Sequence, residues 1–287
     1  MRAAAIFGLG TSPADLKPFQ SDAKTEWQQG LPASSGDADA ILIFGGDGTI
    51  HRHLAALVRL QLPALIVPTG SGNDFARALN LRSIQDSLRV WLDFTSGRIQ
   101  TRKIDLGVIT PTSPPEEPSR YFCTVAGCGL DSAAAGRANA MPRWLRAHGG
   151  YALAILPLLL KLPAFTTTLT EKNGSPITHN NLTLLTAFAN TQYYGDGMRI
   201  APQADFTDGK LDICRISAMN PLQLLRMFPT VYFGHHLRSP KVAYSTTERV
   251  ILETDPPLEI YADGEFVCQT PAEMSVAVGA LNVIMPT

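Results

Sequence analysis

Two glycine-rich turns constrain what this chain can fold into. Ile41-Leu-Ile-Phe-Gly-Gly-Asp-Gly-Thr49 and Leu65-Ile-Val-Pro-Thr-Gly-Ser-Gly-Asn-Asp74 each read as a buried strand, a turn of glycines carrying an aspartate, and a helix. Glycine lets backbone approach a ligand closely, and a helix start offers unpaired N–H groups to negative charge. Two such turns about twenty residues apart point to one nucleotide site served by adjacent strands.

The 287 residues can bury a substantial core and suffice for two domains. A net charge of -1 gives no broad basic field, so a nucleic-acid partner is not expected and any membrane attraction has to be local. Cys123, Cys128, Cys214 and Cys268 show no CxxC pairing and no histidine at zinc spacing, which predicts free thiols in a reducing, cytoplasmic setting. Met1-Arg-Ala-Ala-Ala-Ile-Phe-Gly8 reads as an opening strand rather than a leader. The apolar run Tyr151–Pro163 is too short to cross a bilayer and contains Pro157 and Lys161, so no transmembrane segment is expected.

The first third alternates strand and helix in a doubly wound α/β pattern: strands at Ala3–Phe7, Ala40–Phe44 and Ala64–Val67. Thr49 is expected to cap a helix with Ile50, Leu54, Leu57 and Val58 inward, and Asn73 to cap a helix from Asp74 to Leu79. A third helix is expected from Ser83 to Phe94 with Ile84, Leu88, Trp91 and Leu92 inward. Beyond Lys103 strands dominate. Ile104–Thr110 and Tyr121–Val125 flank a proline-rich loop, and Phe165–Glu171 and Ile177–Asn190 read as a hairpin around Asn173-Gly174. Further strands are expected at Leu211–Ile216, Val250–Glu253, Leu258–Tyr261 and Met274–Val278, with helical insertions at 133–162 and 221–233. The expected domains are an α/β unit over 1–107 and a mostly antiparallel β unit over 108–287, whose last residues can return to the first.

These residues resemble the diacylglycerol kinase catalytic family, in particular the soluble bacterial lipid kinases, with sphingosine kinases and NAD kinases as relatives. The resemblance rests on six motifs in order: Gly45-Gly-Asp-Gly-Thr49, Gly70-Ser-Gly-Asn-Asp-Phe-Ala-Arg77, Lys103-Ile-Asp-Leu-Gly107, Gly127-Cys-Gly-Leu-Asp131, the stretch Ala201–Leu211, and Asp263-Gly-Glu265. It implies an N-terminal α/β nucleotide domain, a C-terminal antiparallel β-sandwich domain and catalysis in the cleft between them. It implies an ATP- and magnesium-dependent lipid kinase, with diacylglycerol the first acceptor to consider and phosphatidic acid its product. A sphingoid-base kinase or an inactive nucleotide- or lipid-binding homologue is the alternative.

Phosphoryl transfer needs held phosphates, a magnesium ion to offset charge, and a base for the acceptor hydroxyl. The resemblance implies that Asp47 organises the ATP–magnesium network, with Gly45, Gly46, Gly48, Thr49, Gly70, Ser71, Gly72, Asn73, Asp74 and Asp105 around the nucleotide. It implies Asp263 as general base with Glu265 as an acidic partner. It implies a structural magnesium held by the Asp208 carboxylate and the carbonyls of Asp205 and Lys210. Read locally, Asp208-Gly209 and Asp263-Gly264 are also ordinary turns. His51, His53 and His235-His236 are poor metal pairs. Met141–His148, with Arg143, Arg146 and Trp144 near Lys161, suits either an interfacial membrane contact or packing on the β unit. The expected partners are a lipid substrate at a membrane surface and, as an open choice, a second copy in a homodimer.

Two places depart from the family pattern. Phe7-Gly-Leu-Gly-Thr-Ser-Pro13 stands where an Asn-Pro-x-Ser-Gly-like turn is usual, with Gly8, Gly10, Thr11 and Ser12 in its place. Ile50-His51-Arg52 stands where a small aliphatic and Asn-Glu are usual.

Overall fold

The strands Arg2–Phe7 (β1), Ala40–Gly45 (β3) and Ala64–Pro68 (β4) lie side by side, all parallel, with Ala3 opposite Ala40 and Ile41 opposite Ala64. Ala3 to Ala5, Ala40 to Phe44 and Ala64 to Val67 are fully buried. Both faces of these strands are covered, so each is apolar throughout rather than alternating. The computed structural model describes residues 1–21, 25–113, 117–141, 154, 156–171 and 182–286.

A fourth strand, Glu26–Gln29 (β2), pairs in parallel with β1 at the sheet edge, after a 3-10 helix over Pro13–Ser21. The sequence reading missed this strand, because Glu-Trp-Gln-Gln lacks the apolar run of a central strand. Its anchor is Trp27, whose ring lies 5.5 Å from that of Trp91.

Helix α1 (Asp47–Leu60) buries Ile50, Leu54, Leu57 and Leu60, leaving Val58 half-buried. Its N-cap is Gly46 and not Thr49. Thr49 sits one turn further in because its side chain fills the space left by two glycines. A Cβ on Gly8 would stand 2.3 Å from Thr49 Oγ1, and one on Gly45 2.6 Å from Thr49 Cβ. Helix α2 is the short Asp74–Ala78. Helix α3 (Ile84–Thr95) starts on Ser83, which accepts the Asp86 N–H. It buries Ser87, Val90 and Trp91, while Leu92 is exposed. The face is turned from the expected one, and on it the Ser87 hydroxyl donates to the Ile66 carbonyl at 2.8 Å.

Met1–Asp105 with Val278–Thr287 form one compact unit, and Leu106–Ala277 a second. In the first, the end of β15 (Ala272–Val283) runs parallel to β4, with Val283 opposite Ala64.

The second unit is antiparallel. Strand β5 (Arg102–Pro111) continues into it and pairs with β6 (Arg120–Phe122). The order β14 (Glu265–Gln269), β13 (Glu259–Ala262), β7 (Val125–Gly129), β9 (Leu182–Ala189) is followed by β10 (Leu211–Ser217) and β11 (Val242–Thr247). Strand β8 (Phe165–Glu171) pairs with β9 and with β12 (Arg249–Asp255), which pairs with β15. The antiparallel β8–β9 pair fits the expected hairpin, but its turn at Asn173-Gly174 and the stretch Ile177–Asn181 lie outside the described residues. So do residues 142–153, including Trp144, Arg143 and Arg146. Among the described residues the insertions are α4 (Leu130–Ala140), a 3-10 turn at Leu156–Leu160, and α5 (Pro221–Val231). Strands β7, β9 and β10 lie between two apolar layers. Ala126, Phe188 and Ile213 enter one, and Val125, Ala187 and Cys214 enter the other, under α5.

Candidate active site

Asp47 joins the two glycine turns. Its Oδ2 accepts the Asp74 N–H at 2.9 Å and its Oδ1 the Phe75 N–H at 3.0 Å. A five-residue helix cannot hold itself by propensity, so α2 depends on this cap from the neighbouring turn. Asn73 occupies the N-cap position in the left-handed region (φ 53) with no side-chain bond to its own helix. Its amide instead closes its own turn: Oδ1 accepts the Gly70 N–H at 3.0 Å and Nδ2 donates to the Gly70 carbonyl at 2.6 Å. Asn73 as a side-chain cap is thus corrected; Asp47 performs that task.

The two turns touch backbone to backbone. A Cβ on Gly70 would lie 2.5 Å from Gly46 Cα, and one on Gly72 3.1 Å from Asp47 Oδ2. Gly70→Ala is therefore expected to cost about 1–3 kcal/mol, because backbone and not a flexible side chain has to move. Urea denaturation measures this directly; an unchanged midpoint would show that the contact opens freely. Ser71 is exposed, while Gly46, Gly48 and Gly72 are half-buried, so these turns present mainly backbone. Asp74 is buried, with Arg77 Nε 4.0 Å from its carboxylate.

The unusual first turn packs beside this pair. The Gly8 N–H donates to the Phe44 carbonyl at 2.7 Å, and Thr11 Oγ1 donates to the Gly8 carbonyl at 2.8 Å. Gly8 also makes room for Thr49, so part of this departure from the family pattern is a packing solution. Asp105 is buried in the same unit, and its Oδ1 accepts the N–H of Gly279 at 2.7 Å.

In the second unit Asp263 lies in the tight turn between β13 and β14, with left-handed φ of 51, followed by Gly264 at 84. Its Oδ2 accepts the Cys123 N–H at 2.9 Å; its Oδ1 accepts the Thr124 N–H at 2.8 Å and the Thr124 hydroxyl at 2.6 Å. The expected strand Tyr121–Val125 is broken at these two residues, because the carboxylate takes the amides that a sheet partner would use. Glu265 opens β14 and is exposed.

A further acid of this unit, Asp131, has no role in the sequence reading. Asp131 opens α4 and is buried, with Oδ1 accepting the Ser132 N–H at 2.8 Å. Burial pushes its carboxyl up to about 8. Gly127 exists for it: a Cβ there would stand 2.1 Å from Asp131 Oδ2. Asp131 lines a small apolar pocket walled by Leu130, Leu184, Met198, Met227 and Phe228. The available signal was an acid inside Gly-x-Gly-x-Asp next to an apolar strand.

The 205–210 loop is closed by its own side chains. Asp205 Oδ1 accepts the Thr207 N–H and hydroxyl, and Asp208 Oδ1 accepts the Lys210 N–H at 2.9 Å. Burial pushes the neighbouring Asp212 carboxyl up, and the Asp208 and Asp205 carboxylates add to that. His236 is buried with Nε2 3.0 Å from the Ile200 carbonyl, a structural placement. The four cysteines are buried and none is in a disulfide. No described helix is long and apolar enough to cross a membrane.

Residues 15–109 match the diacylglycerol kinase catalytic domain, and residues 124–285 the YegS C-terminal NAD kinase beta sandwich-like domain. The diacylglycerol kinase of Mycobacterium tuberculosis (strain ATCC 25618 / H37Rv) is 36% identical over 248 residues, covering 86% of this chain and 77% of that protein. The chain belongs to the diacylglycerol kinase family. It is a lipid kinase, as the family implies. The solved diacylglycerol kinase of Bacillus anthracis str. Sterne shares its fold with a TM-score of 0.71 at 16% identity, over 99% of this chain and 97% of that one. An NAD kinase from Archaeoglobus fulgidus, solved with ATP, shares it at 0.51 and 15% identity, over 100% and 92%. The α/β first unit and antiparallel second unit are thus those of the diacylglycerol kinase and NAD kinase folds.

Proposed function

We propose that this lipid kinase transfers the γ-phosphate of ATP to the hydroxyl of diacylglycerol, giving phosphatidic acid. The observation that carries the reading is the 36% identity, over 86% of the chain, to a diacylglycerol kinase. The α/β unit over 1–107 is the proposed nucleotide domain, and 108–287 the proposed lipid and catalytic domain.

In this proposal the backbone of Gly45, Gly46, Gly48, Thr49, Gly70, Ser71, Gly72 and Asn73 holds the phosphates, and Asp47 fixes one turn against the other. Asp74 and Asp105 complete the nucleotide set. Asp263 takes the proton of the lipid hydroxyl, with Glu265 as a nearby acid. The phosphate passes from the γ position to that oxygen as the bond to ADP breaks. The apolar pocket beside Asp131 supports the lipid reading, since its walls suit an acyl chain.

Magnesium, when bound, supplies charge neutralisation at the phosphates and, at the second unit, support for the 205–210 loop. Among the described residues no group of three or more His, Cys, Asp or Glu gathers as a metal cage. An ion at Asp208 therefore needs the carbonyls of Asp205 and Lys210. The oxygen donors suit a hard cation. Asp208→Ala is expected to remove a magnesium-dependent rise in melting temperature worth about 2–3 kcal/mol at saturating metal. Identical melting and magnesium response in the variant would remove the assignment.

The test of the function is transfer of radiolabelled γ-phosphate from ATP, with magnesium, to a lipid extract in detergent micelles. Labelled phosphatidic acid is expected. A different labelled lipid would replace diacylglycerol as the acceptor, and no label with ATP still bound would favour a binding protein.

A further inference from the structure

Helix α5 is apolar on two opposite faces. Leu224, Met227, Phe228 and Val231 point inward and line the pocket beside Asp131. At 100° per residue, Leu222, Leu225, Pro229, Tyr232 and Phe233 fall on the other side. These face outward: Leu222 is 57% exposed, Leu225 51% and Phe233 68%. Leu160, 92% exposed, lies on the 3-10 turn whose Leu158 and Leu159 pack in the same cluster as Met227 and Phe228. A helix apolar all round is ordinarily buried, and a concentrated exposed apolar patch marks an interaction site.

The charge of the two segments themselves is one-sided. Although the whole chain has net charge -1, no acidic residue occurs between Asp212 and Glu248, or between Asp131 and Glu171. Arg226 lies within the outward arc of α5, and Arg238, Lys241 and Lys161 are exposed nearby in the chain. The Phe233 ring lies 6.1 Å from the imidazole of exposed His235.

We propose that the outward face of α5, with Leu160, seats the protein on an anionic lipid bilayer. The inference rests on the proposed function in that a lipid acceptor resides in a bilayer. Leucines and aromatics enter the boundary between headgroups and acyl chains, while the cations meet anionic headgroups. A second copy is the poorer occupant: pairing this face with itself would set Arg226, Arg238 and Lys241 against their like. The sequence reading leaves Met141–His148 open between an interfacial contact and packing on the β unit; residues 142–153 lie outside the described residues, and the face proposed here is on the helix at Pro221–Val231.

The test is flotation of the full chain with vesicles of phosphatidylglycerol or of phosphatidylcholine, without nucleotide. It compares wild type with the triple variant Leu222→Ser, Leu225→Ser, Phe233→Ser and with Arg226→Gln, Arg238→Gln, Lys241→Gln. Wild type is expected on phosphatidylglycerol vesicles in a salt-dependent manner. The apolar triple variant is expected to bind about tenfold less or weaker still, and the charge variant to lose the preference for phosphatidylglycerol. Both variants should phosphorylate a short-chain diacylglycerol in solution as wild type does. Wild-type flotation of the apolar variant overturns the proposal. So does a wild-type dimer on gel filtration that the apolar variant converts to monomer while vesicle binding persists. No phosphorylation by any form, with flotation lost only in the variants, would sink the kinase chemistry and uphold the docking face.

Discussion

Asp263→Asn is expected to lower phosphoryl transfer by about 10²–10⁴-fold, the range of a lost general base, with ATP binding largely intact. The turn itself should survive, because asparagine tolerates the left-handed φ of 51 found at this position. The carboxylate cannot be replaced without a second effect, however. Its oxygens face the amides of Cys123 and Thr124, so an NH₂ group in place of either oxygen sets donor against donor. That adds about 1–3 kcal/mol of destabilisation. Thr124→Val separates the two effects. It removes the 2.6 Å hydroxyl donor and leaves the carboxylate, at an expected cost of about 0.5–1.5 kcal/mol. Rates measured with each variant below its melting range decide the matter. Asp263→Asn retaining wild-type turnover would end its assignment as base.

The second large effect is on stability and depends on pH. The Asp131 carboxyl is pushed up to about 8 by burial, so the folded protein keeps its proton where the unfolded chain has lost it. A raised acid makes stability fall as pH rises, from the unfolded value near 4 through the folded value near 8. Four units at 1.36 kcal/mol each make this a loss of up to about 5 kcal/mol across that window. Asp131→Asn keeps an oxygen for the Ser132 N–H and needs no proton. It should stabilise the protein near pH 7 by up to about 4 kcal/mol and flatten the curve in this window. Urea denaturation of both proteins at several pH values reads this out. Parallel curves would mean that Asp131 is ionised in the folded protein.

Much of this architecture was legible from sequence, for identifiable reasons. Strands buried on both faces, such as Ala40–Gly45, announce themselves by unbroken apolar runs, and the glycine turns mark their ends. The edge strand Glu26–Gln29 was silent because solvent allows it to be polar. The face of α3 differs from the leucine periodicity because its buried stripe runs through Ser87, Val90 and Trp91. At the candidate site the residue types were visible but their contacts were not. Nothing local says that Asp47 caps a helix that begins at Asp74, or that Asn73 spends its amide on Gly70. Asp131 went unassigned because its burial depends on the missing side chain of Gly127.

The gap in the strand at Cys123 and Thr124 also provides a built-in spectroscopic probe. Their amide protons point at the two oxygens of one carboxylate rather than at a neighbouring strand. Their NMR resonances therefore follow the charge of Asp263 at single-residue resolution, with no label on the acid itself. A titration or a bound acceptor hydroxyl would register there first.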